Sequence, residues 1–153
     1  MSYPFPKHRI DELVNAPKVV SENEKLSVER RGEAGAAFQV NLDLLDGPFV
    51  DLRYLGKAAN NTQPDTYEAN LLLGGHRVRG VGHHAVGRNN LRAKRRIPPG
   101  WHQNICDPNL PTVHPEYNRH KPLRAFTPTD LGNFINRCAR LWTIDLKAEE
   151  PLL

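Results

Sequence analysis

Residues 38–54 read FQVNLDLLDGPFVDLRY, and this stretch decides the fold class. Phe38, Val40, Leu42 and Leu44 alternate with Gln39, Asn41 and Asp43. Successive side chains of an extended chain point to opposite faces, so a period of two buries one face of a strand. Leu45-Asp46-Gly47-Pro48 then supplies turn chemistry, because Asp-Gly accepts the positive φ that tight turns require. Val50, Leu52 and Tyr54 resume the alternation, with Asp51 and Arg53 directed outward. A hairpin of this kind predicts an antiparallel sheet.

The flanks extend the same pattern. Leu26 and Val28 alternate with polar neighbours before the turn residues Arg31-Gly32-Glu33. Upstream, residues 1–24 form a polar N-terminal segment with a short helix over Ile10–Asn15. That helix ends at Ala16-Pro17, since the residue before proline avoids the helical region. Downstream, Gly56–Thr66 is polar and rich in breakers, and reads as a loop. Tyr67–Leu73 and His76–Val81 read as a second hairpin turning on Gly74-Gly75. In its second arm Arg77 and Arg79 are two residues apart, which predicts that both project from one face.

Residues 87–123 contain six prolines and few periodic apolar positions, the pattern of a long ordered loop with short strands. After it, Thr127-Pro128-Thr129-Asp130 marks a helix start with Thr127 as N-cap. Leu131, Phe134, Ile135, Cys138, Leu141 and Trp142 follow on one apolar stripe that must lie on a sheet. Thr143–Leu146 continues as a final strand, and 147–153 is a tail. The expected fold is α+β: an antiparallel β-meander packed by one C-terminal amphipathic helix, with a long basic, histidine-rich loop. Residues 25–146 form its single domain, and 153 residues suffice for one core.

Composition bounds the function. Apolar residues make up 39% and charged residues 25%, which excludes collagen-like, coiled-coil and wholly disordered chains. No apolar run is long enough to span a bilayer, and the first residues carry no apolar signal core, so a cytoplasmic protein without a membrane partner is expected. Cys106 and Cys138 are too few for a disulfide framework and too far apart for a zinc pair. The net charge of +4 conceals a division. His76–Arg124 holds ten Lys/Arg against Asp107 and Glu116, so that segment is +8 and the remainder −4. A basic middle between acidic ends attracts polyanions when its cations share a face, and is otherwise a solvated loop.

Six of the seven histidines also lie in this middle, among them His83-His84, His102, His114 and His120. With Asn104 and Glu116 they supply groups that bind transition metals or move protons near neutral pH. No pair has the spacing of a helical metal motif, so no metal or cofactor is assigned, and any site must be assembled in space. The order His83-His84, Asn104, His114 matches an HNH nuclease finger, but Pro111, Pro115 and Pro122 oppose the helix such a finger needs. No serine stands in a glycine elbow, and no phosphate-binding glycine loop is present. Arg88, Arg92, Lys94, Arg95 and Arg96, with Arg77 and Arg79, are candidate phosphate contacts, and Trp101 is a candidate stacking platform for single-stranded nucleic acid.

His114-Pro115-Glu116, followed by His120-Lys121, resembles the His-Pro-Glu and His-Lys elements of the TumE family of toxin–antitoxin proteins. In outline the resemblance covers residues 26–145. It implies a short antiparallel sheet, a histidine-rich segment and a C-terminal helix in a cytoplasmic prokaryotic protein acting on RNA, with an antitoxin as partner. It points to His114, Glu116 and His120. The expectation is therefore a nucleic-acid-associated protein of toxin or defence type. His102, His114, Glu116 and His120 are its candidates for ribonuclease acid–base chemistry. The alternative is a non-enzymatic subunit whose basic loop docks on RNA or a ribonucleoprotein, and a metal-dependent hydrolase is the third reading.

Overall fold

The computed structural model of the chain describes residues 5–84, 88–90, 95–97, 99–106 and 119–146. The elements run α1 (Lys7–Asn15), β1 (Lys18–Val20), β2 (Ser27–Arg31), β3 (Gly35–Leu44), β4 (Leu52–Ala58), β5 (Tyr67–Leu73) and β6 (His76–His84). They continue with β7 (Arg88–Asn90), β8 (Arg95–Ile97), β9 (Gly100–Ile105), β10 (Arg119–Pro122), α2 (Leu131–Leu141) and β11 (Ile144–Asp145). Nine strands make one sheet in the order β10-β9-β6-β5-β4-β3-β1-β11, with β2 added to β3. β7 and β8 pair apart as a ribbon. β1 and β11 run parallel while the other pairs are antiparallel, so the sheet is mixed and the class is α+β.

The hairpin of residues 38–54 forms with the predicted alternation, but its connection is longer than a tight Asp-Gly turn. β3 ends at Leu44 and β4 begins at Leu52, so Val50 lies before the strand. Val40 faces Tyr54 and Leu42 faces Leu52 in the ladder, and all four are buried. β4 then runs on through Gly56 to Ala58, so the predicted loop over Gly56–Thr66 begins only after Ala58. The reason is close packing: a Cβ at Gly56 would lie 2.2 Å from the Glu68 carbonyl oxygen and 2.6 Å from the Phe38 ring. Glycine is the residue that fits under that ring. The turn at Gly74-Gly75 has φ of 58° and 80°, the positive pair that a two-residue hairpin requires.

Both helices lie on one face. α1 starts at Lys7, earlier than the sequence pattern indicated, and buries Ile10, Leu13 and Val14. With Val20 of β1 these residues belong to the same core as the rest of the sheet. α2 is capped by Asp130 rather than by Thr127: the Asn133 amide donates to Asp130 Oδ1 at 2.8 Å, and Asp130 has the extended backbone of an N-cap. Its stripe places Phe134, Ile135, Cys138 and Trp142 in the core, while Leu141 is partly exposed. Each such side chain is worth about 1.5–3 kcal/mol when fully buried.

Polar anchors fix α2 in place. Tyr54 Oη donates to the Ile135 carbonyl at 2.6 Å, and Trp142 Nε1 donates to Gln103 Oε1 at 2.8 Å. Burial pushes the Tyr54 phenol and the Cys138 thiol well up, so both stay neutral. Lys18 is buried and donates to the carbonyls of Val14 at 2.6 Å, Ala16 at 2.8 Å and Trp142 at 2.7 Å. One ammonium thus satisfies carbonyls at the C-terminal ends of both helices, where the dipoles are negative. Desolvation, and then the nearby Arg79 charge, bring its pKa down to about 8.

The region predicted as a long loop with short strands carries such strands, and two of them join the main sheet. β9 pairs with β6 from Gly100 to Ile105, and β10 pairs with β9 from Arg119 to Pro122. Apolar periodicity misses β9 because its alternating set is Trp101, Gln103 and Ile105 against His102 and Asn104. Among the described residues no helix is long and apolar enough to cross a membrane.

Candidate functional site

The register of β6, β9 and β10 decides which side chains meet. His83 lies opposite Trp101, and Val81 opposite Gln103, on the face that carries α2. His84, His102 and His120 alternate to the other face. In the ladder His102 sits between Gly82 and Pro122, His84 faces Gly100, and His120 faces Asn104. The three histidines therefore run diagonally across three neighbouring strands, a spacing that ring side chains can bridge.

They do bridge it. The His84 and His102 ring centroids are 4.2 Å apart, His102 and His120 5.8 Å, and His84 and His120 6.4 Å. One nitrogen from each ring can be chosen so that all three lie within 4.8 Å of one another. His102 is only 2% exposed, while His84 and His120 are half-buried. Beside His120, the Oδ1 of Asn104 is buried and takes no hydrogen bond among the described residues. An arrangement of this kind can relay protons or hold a transition metal.

Arg77 and Arg79 do not share a face. A bulge shifts the β5–β6 register, so that Arg79 pairs with Leu71 but Arg77 with Leu72. Val78 is the extra residue, and one inserted residue inverts the alternation. Arg79 turns to the helix-covered side, is 7% exposed, and donates to Asp11 Oδ1 and to the Val78 carbonyl, both at 2.8 Å. It ties β6 to α1 and is not an open phosphate contact. Burial raises the Asp11 carboxyl, but hydrogen bonds from Lys7 and Arg79 outweigh this and hold it below its ordinary value. Arg77 keeps to the histidine face, where its Cδ lies near Gly80, the ladder partner of Asn104.

Trp101 also departs from its predicted role. Its ring packs on Phe126 at 5.2 Å, Phe134 at 5.5 Å and His83 at 5.1 Å, so it belongs to the helix side and not to an open stacking surface. Arg88, Arg95 and Arg96 lie on the β7–β8 ribbon. Arg92, Lys94, His114 and Glu116 fall outside the described residues. Cys106 and Cys138 are both buried and not disulfide-bonded.

His84 is the member of the cluster whose place beside His102 and His120 the sequence concealed. Its signal was the His83-His84 doublet: in a strand, one member of such a doublet must face away from the helices. No family model, curated protein or solved structure matches this chain.

Proposed function

We propose that this chain is a small nucleic-acid-associated protein whose histidine face cleaves RNA, as a toxin-like ribonuclease does. The observation that supports the reading is the convergence of His84, His102 and His120 on one sheet face, with Arg77 on the same face. His84 and His120 are the reachable pair. One imidazole withdraws the 2′-OH proton as that oxygen attacks phosphorus, and the other protonates the departing 5′ oxygen. The buried His102 between them orients both, and a cation such as Arg77 stabilises the charge on the phosphoryl oxygens.

The test is binding to labelled single-stranded RNA over a salt series, with the same samples read for cleavage on a gel. Affinity should fall steeply with salt. His120→Ala should abolish cleavage and leave affinity nearly intact. Salt-dependent binding with no cleavage by the wild-type protein would replace the enzyme with a docking subunit for RNA or a ribonucleoprotein. No binding at all would point to a protein partner.

A further inference from the structure

We propose that His84, His102 and His120 form a binding site for one divalent first-row transition ion, with zinc as the probe that tests it. The inference goes beyond the ribonuclease reading and stands whether or not the chain cleaves RNA. Three observations carry it. The candidate ligand nitrogens all lie within 4.8 Å of one another. A tetrahedral zinc with Zn–N of 2.0–2.1 Å needs its nitrogens about 3.3 Å apart, so the candidate atoms have at most about 1.5 Å to close. The three residues also come from three hydrogen-bonded strands, so the backbone has already brought the ligands together. Finally, Asn104 lies opposite His120 with its buried Oδ1 taking no hydrogen bond among the described residues. An oxygen of that kind holds the second N–H of a ligating imidazole and fixes its ring.

The donor set defines the class of ion. Three imidazoles suit zinc, cobalt, nickel or copper, whereas magnesium and calcium require oxygen ligands that this set does not contain. Three protein ligands are also the number found at open zinc sites. Because the ion takes the nitrogen lone pairs that proton transfer uses, metal loading and metal-free acid–base chemistry exclude one another at these rings.

The experiment uses the untagged full chain, stripped with chelator and titrated calorimetrically with Zn²⁺, with the visible spectrum recorded in parallel on Co²⁺ addition. One equivalent of zinc should bind, magnesium should not, and cobalt should give the intense bands of a low-coordinate site. His84→Ala and His120→Ala, both at half-buried positions, should each weaken zinc binding by at least ~10-fold. His83→Ala, on the opposite face against Trp101, should bind as the wild type does. Circular dichroism of each variant separates loss of a ligand from loss of fold. Failure of the stripped wild-type chain to bind zinc would overturn the proposal, as would equal affinity in folded His84→Ala and His120→Ala proteins. RNA cleavage is not read in this experiment; assaying the metal-free and the zinc-loaded chain separately on RNA distinguishes failure of the metal site from failure of the ribonuclease reading.

Discussion

The two faces of the sheet treat polar groups differently. On the helix-covered face each buried polar group has a partner that serves the fold. Lys18 holds three carbonyls, Tyr54 holds Ile135, Trp142 holds Gln103, and Arg79 holds Asp11. On the opposite face three like side chains converge, although protonation would set like charges against one another. Complementary pairing is what stability selects, whereas a cluster of identical ligands is what a bound ion or a reaction selects. The contrast separates a face whose polar pairs hold the fold together from the face on which the proposed site lies.

Breaking the structural face should cost the most. Lys18→Met keeps the stem but leaves three carbonyls unpaired, and should lower stability by about 3 kcal/mol or more in urea unfolding. Zinc affinity of the protein that remains folded should not change. The same lysine predicts a pH dependence. Its folded pKa of about 8 lies below the ordinary value of 10.5, so between these limits the unfolded chain binds more protons. Wild-type stability should therefore rise from pH 8 towards 10.5, and Lys18→Met should remove that rise.

A smaller loss follows from Asp11→Asn, about 1–2 kcal/mol, because Arg79 is buried while Asp11 is partly open to solvent. Asp11 has a depressed pKa, so its contribution is complete above the ordinary value of 3.8 and is lost as pH falls through the lower folded value. Acid unfolding monitored by circular dichroism should be less steep in Asp11→Asn. The two arginines then sharpen the comparison. Arg79→Ala should destabilise the fold more than Arg77→Ala does, because Arg79 is buried and paired with Asp11. Arg77→Ala should reduce the salt slope of single-stranded RNA binding by roughly 0.7, the amount for one phosphate. On the helix-covered face the smallest effect is on His83→Ala, which loses an edge contact with Trp101 and leaves metal affinity unchanged.

Local patterns made much of the fold legible. The alternation over 38–44 and 50–54, the glycine pair at 74–75 and the stripe from Leu131 to Trp142 each state their structure within a few residues. What escaped depends on distant partners. β9 is a strand because β6 and β10 lie beside it, and its own sequence alternates aromatic, polar and imidazole side chains without a clear apolar period. Val78 inverts the face of Arg77 relative to Arg79, and no composition signal marks a single-residue bulge. Histidines crowded between 76 and 124 were visible from the start. Only the register of three strands selects His84, His102 and His120, and turns His83 away.

The most direct test of this division is X-ray absorption at the zinc edge of the reconstituted full chain. The account predicts about three imidazole nitrogens at 2.0–2.1 Å, with the signal lost in His120→Ala. Sulfur scattering at about 2.3 Å, or a spectrum unchanged by that substitution, would contradict it.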